Sequence, residues 1–486
     1  MFKTIVTIGF IHVLAILGNF IRSKTIAVLL GPAGVGVISN VDQVVQFVSY
    51  ASACSIPVAA VKYLSKSHSE GSDVFQRTYA ALLNTLVVLG VGGALVAIGM
   101  LLTTPGVYGA ELIPYRTYLL LALPAVPAMS MGGYLVNVFA AAQKPTASSM
   151  LVIVTSIVLT VSTCIGIFAG SIAGMYAANT LAQLLLMIGT VLYLRRAFSL
   201  HPLDREASIV AEIRRAPSIL VFAATLYVST FAGSFSLVVA RRAVLASYGA
   251  VEAGLLQSAI AIGLALSMVL NPTNALFLMP MVNRNMAKEE KLHAATEYQK
   301  RLLVMLGLAT LPIVLFPRLV LTVLYSSRFL GASGYLFYFV LAQCLTLLAG
   351  VYSVLIIGFD DIEMNVAINT AGALLMALVS WAFVPKFGIM AVAAGFLIQG
   401  AFLFFFSWAW LAKRHAFRLP RELGMLMLYA LTALIVAHVA ARAHDEWTLG
   451  AVVIKALAAI AFGVGLLAFL TAHERSMLRE RIARYL

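Results

Sequence analysis

Apolar residues follow one another along the chain in segments long enough to cross a membrane as helices. Each segment has about 20 residues or more, the length that an α-helix needs to span the hydrocarbon core of a bilayer. Numbered 1 to 14 in chain order, the predicted spans are 5–30, 34–61, 76–102, 117–142, 147–168, 171–194, 218–247, 254–281, 301–324, 334–357, 362–384, 388–411, 423–441 and 449–471. The pattern predicts an all-α polytopic membrane protein with 14 transmembrane helices.

The composition supports this prediction. The mean hydropathy is +0.98 and only 11% of the residues are charged, values far from those of soluble proteins. Span 1 is too long for a cleaved signal peptide and no small-residue cleavage site follows it, so we expect it to remain as the first helix.

The basic residues predict the orientation of the chain in the membrane. An even number of spans places both termini on one side, and if that side is cytoplasmic its loops and tails contain 23 of the 33 Lys and Arg residues. The opposite side contains four, Arg116, Arg328, Lys386 and Arg442. We therefore expect cytoplasmic termini in a cell inner membrane. Basic loops against anionic membrane lipids account for the net charge of +14, so no nucleic-acid partner is needed.

Two segments of the chain resemble each other at a constant offset of 218 residues. "RSKTIAVLLGPAGVGVIS" (22–39) aligns with "ARRAVLASYGAVEAGLLQ" (240–257), which matches Lys24 with Arg242, Gly31 with Gly249 and Gly36 with Gly254. This offset corresponds to six spans and predicts two parallel six-helix repeats that enclose a cavity. The predicted divisions are a bundle at 1–194, a basic cytoplasmic linker at 195–217, a second bundle at 218–414, and additional helices 13 and 14 at 415–486.

Span 2 has a polar face. Ser39, Asp42, Gln43 and Gln46 recur at i, i+3, i+4 and i+7, a spacing that places them on one side of a helix. Asn19 in span 1 and Gln257 in span 8 extend the set. We expect these side chains to line the cavity, with Asp42 either a salt-bridge partner of Arg22 or Lys24 or a protonatable coupling residue.

Four cations lie inside predicted spans at matching places in the two repeats. These are Arg22 and Lys24 in span 1 and Arg241 and Arg242 in span 7. A buried charge costs from about 2.5 to more than 10 kcal/mol, so such residues face water, a partner or a substrate. One interpretation is that they snorkel to the headgroups. Their recurrence favours the other, that they bind an anion in the cavity. Arg318 in span 9 and Lys455 in span 14 fit either interpretation.

Glycine and proline mark possible hinges. Pro57 and Pro272 remove backbone hydrogen bonds inside spans 2 and 8, whereas Gly31 and Gly249 stand at the turns that precede these spans. Bends at these places would suit two halves that move past each other.

The loops exclude several classes of protein. The external loops are too short for an enzyme that acts on an extracellular polymer, and the longest cytoplasmic loop has no nucleotide-binding GxxxxGK[ST] motif. Asp360, Asp361 and Glu363 form either a metal cluster or a helix N-cap, and we expect the cap. No resident cofactor or metal is predicted, and a coupling ion is left open.

The segments "KTIAVLLGPAGVGVISNVDQVV", "VKYLSKSHSE", "ARRAVLASYGAVEAGLLQ" and "LFLMPMVNRNMAKEEK" resemble the Wzx-type polysaccharide flippases of the MOP exporter superfamily. The likeness covers most of residues 1–414 and is closest to the branch that moves the lipid-linked repeat of enterobacterial common antigen, a relative of the O-antigen translocases of lipopolysaccharide biosynthesis. It implies a V-shaped pair of bundles with a central cavity lined by cations, matched here by Lys24, Arg241 and Arg242. The implied cargo is an undecaprenyl-pyrophosphate-linked oligosaccharide, carried by alternating access to the periplasmic leaflet. A polymerase and a chain-length regulator are the implied partners, beside membrane lipids. Arg22, Asp42 and helices 13 and 14 lie outside the family's pattern.

Three alternatives to a flippase remain. A cation-coupled multidrug exporter of the same superfamily is expected to have several acidic cavity residues, whereas Asp42 is the clear acid within the predicted spans. A polysaccharide polymerase or ligase, which would be an enzyme, conflicts with the short external loops. A scaffold subunit of an export complex fits the sequence too.

Overall fold

A computed structural model describes residues 2–142, 144–201, 218–273, 278, 282, 287–443 and 448–469. All regular secondary structure in these ranges is helical. The α-helices are α1 (Phe2–Ala53), α2 (Ile56–Glu70), α3 (Ser72–Thr103), α4 (Arg116–Ala122), α5 (Val126–Ala141), α6 (Pro145–Phe198), α7 (Ser218–Thr273), α8 (Lys288–Leu315), α9 (Pro317–Leu324), α10 (Ser333–Gly358), α11 (Ile362–Phe387), α12 (Ile389–His415), α13 (Arg421–Ala443) and α14 (Leu449–Ala468). Short 3₁₀ segments occupy Ala110–Tyr115, Leu123–Ala125 and Ser327–Ala332.

Eleven helical stretches in the described ranges are long and apolar enough to cross a membrane. Three of them are interrupted by non-helical backbone, at Gly31 in α1, at Gly170 and Ser171 in α6, and at Gly249 in α7. These interruptions coincide with the predicted breaks between spans 1 and 2, 5 and 6, and 7 and 8. The described part of the chain is therefore all-helical and that of a multi-pass membrane protein, whereas the count of 14 and the two six-helix bundles remain predictions.

The chain forms two compact units. Unit 1 contains residues 1–257 and 369–388, and unit 2 contains residues 258–368 and 389–486. The predicted divisions at 194, 217 and 414 remain predictions. Most of the linker, residues 202–217, lies outside the described residues, as do most of 274–286 and all of 470–486.

Within unit 1, the two repeat segments meet through their glycines. Gly31 and Gly249, which are 218 residues apart, both have positive φ, 65° and 82°, a backbone conformation that glycine adopts without a steric cost. Five residues further on, a Cβ at Gly36 would overlap the carbonyl oxygen of Ala250, and a Cβ at Gly254 would overlap that of Pro32. The two contacts are exchanged by the same offset of 218, so the repeat in the sequence is also a reciprocal contact in space.

Prolines divide other predicted spans. In span 2, Cys54 and Ser55 have positive φ, and α2 then begins with Pro57 in its first turn. Span 4 is divided at Pro124 into α4, a 3₁₀ turn and α5, and span 9 at Pro317 into α8 and α9. Pro272 differs, because α7 continues as far as Thr273, so its backbone lies in the last turn of the helix.

The helix α6 is a hairpin whose two halves pack closely. Gly166 and Gly174 lie so near each other that a Cβ on either would overlap the carbonyl oxygen of the other. Asn179 accepts hydrogen bonds through Oδ1 from the hydroxyls of Ser162 (2.6 Å) and Thr163 (3.2 Å). The halves therefore run antiparallel, with small and polar residues at their interface, as expected for helices that associate within lipid.

In unit 2, α10 packs along α12, and α13 and α14 pack against α8. Lys300 of α8 forms a 3.1 Å ion pair with Glu422 of α13. Lys455 of α14 is fully buried, with its Nζ 3.5 Å from the carbonyl oxygen of Ala441 near the end of α13 and 5.9 Å from the ring centroid of Phe316. Lys455 therefore links α13 to α14, since a cation near a helix C-terminus is stabilised by the last carbonyls.

Asp361 stands immediately before α11 and bonds to α12. Its Oδ2 accepts hydrogen bonds from His415 Nε2 (2.8 Å) and Trp410 Nε1 (3.1 Å), and the His415 ring stacks on Phe359. The Oδ2 atom of Asp361 is therefore engaged by two side chains of another helix, and the predicted helix cap remains a prediction. Among the described residues, no three His, Cys, Asp or Glu side chains form a group that could hold a metal ion.

We expect Gly36→Ala to destabilise the protein by about 1–3 kcal/mol, because the added methyl group must displace the Ala250 carbonyl in a close-packed crossing. The measurement is thermal unfolding of the purified protein in detergent. Gly99→Ala is the matched control, since a Cβ at Gly99 in α3 meets no atom within 4 Å. Equal melting temperatures for the two variants would contradict the close crossing.

The stability that the contact between Asp361 and His415 contributes should depend on pH. The hydrogen bond from His415 lowers the pKa of Asp361 below its usual value of about 4, so the contact stabilises the fold above that pH and is lost as the pH falls through the lowered pKa. Asp361→Asn should therefore melt at a lower temperature than the wild type at pH 7, and the difference should shrink below about pH 4. A difference that does not change between pH 7 and pH 3 would refute this assignment.

Candidate functional site

A polar cavity of about 380 Å³ lies within unit 1. It is formed by α1 on both sides of its break, α4, α5, both halves of α6, and α7. The lining residues are Arg22, Ile26, Ile38, Ser39, Asp42, Gln43, Val45, Gln46, Ala122, Ala125, Met129, Leu159, Thr163, Met175, Tyr176, Asn179, Thr180, Gln183, Arg241 and Gln257. This concentration of charged and amide side chains in an apolar unit makes the cavity the candidate site.

The polar stripe of span 2 forms one wall. Ser39, Asp42, Gln43 and Gln46 all line the cavity, while Val41 and Val44 on the other side of the helix are buried. The i, i+3, i+4, i+7 spacing therefore identified from the sequence alone the side of the helix that lines the cavity. Whether these side chains bind substrate or couple its movement remains a prediction.

Two arginines and one aspartate are the charged groups of the lining. Arg241 is 9% exposed, and its Nη1 donates a 2.9 Å hydrogen bond to the backbone oxygen of Ser39. Arg22 is half-buried on the other side of the break in α1. Because both positive charges act on the Asp42 carboxylate, the three residues form one electrostatic group with an excess of positive charge.

Asp42 is oriented by Tyr176. The Tyr176 hydroxyl donates to Asp42 Oδ1 at 2.9 Å and lies 3.2 Å from the backbone oxygen of Ile38, while its ring stacks on Tyr118. The carboxylate is nevertheless exposed to the cavity. Asp42 thus has a tyrosine of α6 as a hydrogen-bond partner. Its predicted role, as a salt-bridge partner of Arg22 or Lys24 or as a protonatable coupling residue, remains a prediction.

The second half of α6 supplies a wall that the sequence analysis did not identify. Tyr176, Asn179, Thr180 and Gln183 line the cavity at i, i+3, i+4 and i+7, the same spacing as in span 2. The signal was present in the sequence, but these residues are uncharged and span 6 is otherwise strongly apolar. A search for this spacing in every span would have found the face.

Two amides leave hydrogen-bonding atoms available in the cavity. Gln43 is only 3% exposed, and neither its Nε2 nor the Oε1 of Gln257 has a hydrogen-bond partner in the described part of the chain. A buried polar atom without a partner carries a cost of about 1–3 kcal/mol, so both atoms favour water or a ligand with hydroxyl or amide groups.

The other candidate cations lie elsewhere. Lys24 is exposed and is not one of the lining residues, although it is only two positions from Arg22. Arg242 donates through Nε to Glu111 Oε1 at 2.6 Å, which ties α7 to the 3₁₀ segment before α4. Arg318 is exposed in the first turn of α9, in unit 2. Of the five candidate cations, the structure therefore brings Arg22 and Arg241 together.

Asn19 is half-buried on α1 and is not one of the lining residues, whereas Gln257 is. Gly31, Gly249 and Pro57 stand at observed breaks in the helices, as described above. The side chain of Pro272 lies outside the described residues.

Comparisons with known proteins identify the family of the chain and several solved structures with a similar fold. The model of the family described as "Polysaccharide biosynthesis protein" matches residues 3–286. No curated protein sequence matches the chain.

Solved structures show the fold. A lipid II flippase, MurJ, in an inward closed conformation has a TM-score of 0.69 at 12% identity, covering 96% of this chain and 99% of its own. An inward-facing MATE multidrug resistance transporter of the MOP superfamily has a TM-score of 0.66 at 14% identity, covering 84% and 94%. A MOP superfamily transporter from Pyrococcus furiosus, described as having a binding pocket of reverse polarity, has a TM-score of 0.63 at 15% identity, covering 83% and 94%.

These matches confirm the resemblance to the Wzx-type flippases and the MOP superfamily that the sequence motifs carry. The chain belongs to the polysaccharide biosynthesis protein family and is a multi-pass membrane protein whose fold is the one seen in these solved structures.

Proposed function

We propose that this protein is a flippase that moves an undecaprenyl-pyrophosphate-linked oligosaccharide across a bacterial inner membrane, from the cytoplasmic to the periplasmic leaflet. The cargo's anionic group binds Arg22 and Arg241, and its sugars bind the amides and hydroxyls of the same cavity. Both termini are cytoplasmic, in keeping with the distribution of Lys and Arg. The protein acts as a transporter and not as an enzyme. The oligosaccharide that it moves is then used by a polymerase and a chain-length regulator of the same biosynthesis.

The observation that carries this proposal is the composition of the cavity in unit 1. Arginine forms charge-assisted, bidentate hydrogen bonds with phosphate oxygens, and two arginines that share one cavity complement the adjacent phosphates of a pyrophosphate. The amides of Gln43, Gln46, Gln183 and Gln257 offer both donors and acceptors, which sugar hydroxyls require. The membership in a polysaccharide biosynthesis family supports the same cargo.

A multidrug exporter is the main alternative, supported by the similarity to MATE transporters and by Asp42. Asp42 faces two arginines in the described lining, and its carboxylate already accepts a hydrogen bond from Tyr176. A cavity with an excess of positive charge repels organic cations, so its electrostatics favour an anionic cargo.

The arginines provide the main test. In proteoliposomes with a fluorescent lipid-linked oligosaccharide, we expect Arg241→Gln and Arg22→Gln each to reduce flipping about tenfold or more. A charge-assisted hydrogen bond contributes about 1.5–3 kcal/mol, and 1.4 kcal/mol corresponds to tenfold. The matched control is Arg116→Gln, which removes an exposed arginine of unit 1 outside the cavity lining. Flipping at the wild-type rate in both cavity variants would refute the proposed binding site.

Asp42 provides the second test. If its carboxylate only balances the arginines, Asp42→Asn increases the positive charge of the cavity and should lower the apparent KM for the anionic cargo about fivefold. Initial flipping rates over a range of substrate densities, with and without a pH gradient, measure this effect. A loss of dependence on the gradient in Asp42→Asn, with no change in KM, would instead identify Asp42 as a coupling carboxylate.

A further inference from the structure

A second, apolar cavity of about 570 Å³ lies beside the polar one in unit 1. It is a groove between the two halves of α6, closed on one side by Phe139 of α5. Its lining residues are Phe139, Ala147, Met150, Leu151, Val154, Val158, Ala182, Leu185, Leu186, Gly189, Thr190 and Tyr193.

Small residues create the groove. Ala147, Ala182 and Gly189 stand between larger side chains, and a Cβ at Gly189 would meet no atom within 4 Å. The space along the hairpin is therefore an apolar depression in the protein surface. Its walls offer dispersion contacts and almost no hydrogen bonds.

The lining residues of the groove and of the polar cavity adjoin on both halves of α6. On the first half of α6, Val158 lines the groove and the next residue, Leu159, lines the polar cavity. On the second half, Ala182 lines the groove and Gln183 the polar cavity. The antiparallel contacts of Asn179 with Ser162 and Thr163 bring these two transitions to the same level of the hairpin.

One face of the second half of α6 passes through both spaces. Tyr193, Gly189, Leu186 and Ala182 follow one another at three- or four-residue steps in the groove, and Asn179 continues the row in the polar cavity. The apolar part of this row extends about 16 Å, since eleven residues rise 1.5 Å each. The face is thus amphiphilic along its length, apolar at one end and polar at the other.

Aromatic rings close the far end of the groove. Phe139, Tyr193 and Phe198 contact one another with ring centroids 5.8–6.1 Å apart, and Arg195 and Arg196 stand between the last two in the sequence. Tyrosine and arginine are typical of the membrane–water interface. The groove therefore extends from the polar cavity toward one membrane surface.

We propose that this groove holds the first part of the isoprenoid chain of the cargo while the anionic group occupies the polar cavity. The inference rests on the proposed function and extends it, because it assigns the tail to a specific face of α6. A ligand that fills both spaces must be an amphiphile with an anionic, hydroxylated end and an apolar end. One groove between two helices fits a single chain better than the two acyl chains of a phospholipid.

The direct test is photolabelling of the full-length protein in vesicles of phosphatidylglycerol. The probe is undecaprenyl pyrophosphate with a diazirine near the pyrophosphate end of its chain. We expect label on peptides that contain residues 147–158 and 182–193, displaced by excess unlabelled undecaprenyl pyrophosphate. Phosphatidylglycerol with an acyl-chain diazirine should label these peptides at least tenfold less. Equal labelling by the two probes, without displacement, would identify ordinary membrane lipid in the groove and overturn the proposal.

Gly189→Trp places an indole in the groove at a position where a Cβ meets no atom within 4 Å, and should reduce this labelling about tenfold. Gly92→Trp is the matched control, since Gly92 is also an exposed helical glycine whose Cβ would meet nothing within 4 Å. In flipping assays, Gly189→Trp should slow a long-chain cargo about tenfold and leave a cargo with the same head group but a two-isoprene chain unchanged. Arg241→Gln should slow both cargoes.

The labelling and flipping experiments distinguish the proposed isoprenoid groove from the proposed flippase function. If the groove is labelled specifically but the protein flips neither cargo, the groove would stand as an isoprenoid site and the flippase function would be refuted. If Gly189→Trp leaves flipping unchanged for both chain lengths, or slows it equally for both, the flippase function would stand and the proposed role of the groove would be refuted.

Discussion

The close approach of two helix segments at Gly36 and Gly254 is the constraint on which the candidate site depends. Each glycine lies against a backbone carbonyl of the other segment, a distance that no side chain larger than hydrogen allows. Because the backbones touch, Arg241 of α7 reaches the carbonyl oxygen of Ser39 on α1. A buried guanidinium in lipid requires such partners, since an isolated charge there is costly. The crossing thus both joins the two repeat segments and holds a cation at the wall of the cavity.

The cavity itself follows from how the helices are interrupted. Backbone groups within the hydrocarbon core must bond to each other, so the chain changes direction between its predicted spans, here at residues with non-helical backbone. The breaks at Gly31 and at Gly170–Ser171 return the chain beside itself, and polar rows then face one another from α1 and α6. Tyr176 joins these rows through Asp42. The polar stripe of a single helix would be expensive in lipid, and two facing stripes give each other hydrogen-bonding partners.

Much of this arrangement could be predicted from the sequence, for reasons that differ from residue to residue. The stripe from Ser39 to Gln46 is local, since helical periodicity alone places it on one face. The repeat of Gly31 and Gly249 was visible because both positions require positive φ. Which cation of span 1 faces the cavity was not predictable. Arg22 and Lys24 are two residues apart on one helix, and only the packing of α6 decides which of them lines the cavity. Likewise, Arg242 aligns with a family position, but its partner Glu111 lies 131 residues away in the 3₁₀ segment before α4.

The same reasoning explains why the charge of the cavity is informative about the cargo. Arg241 is fixed by the crossing, and Asp42 is fixed by Tyr176, so neither can turn away to relieve an unfavourable charge. Preorganised charges interact with a ligand more strongly than mobile ones, because less reorganisation accompanies binding. Two arginines against one aspartate then favour an anion, and the orphaned amide atoms of Gln43 and Gln257 favour one that also carries hydroxyl groups. A cargo that satisfied only the charge would leave these amides without partners, and one that satisfied only the amides would leave the excess positive charge uncompensated.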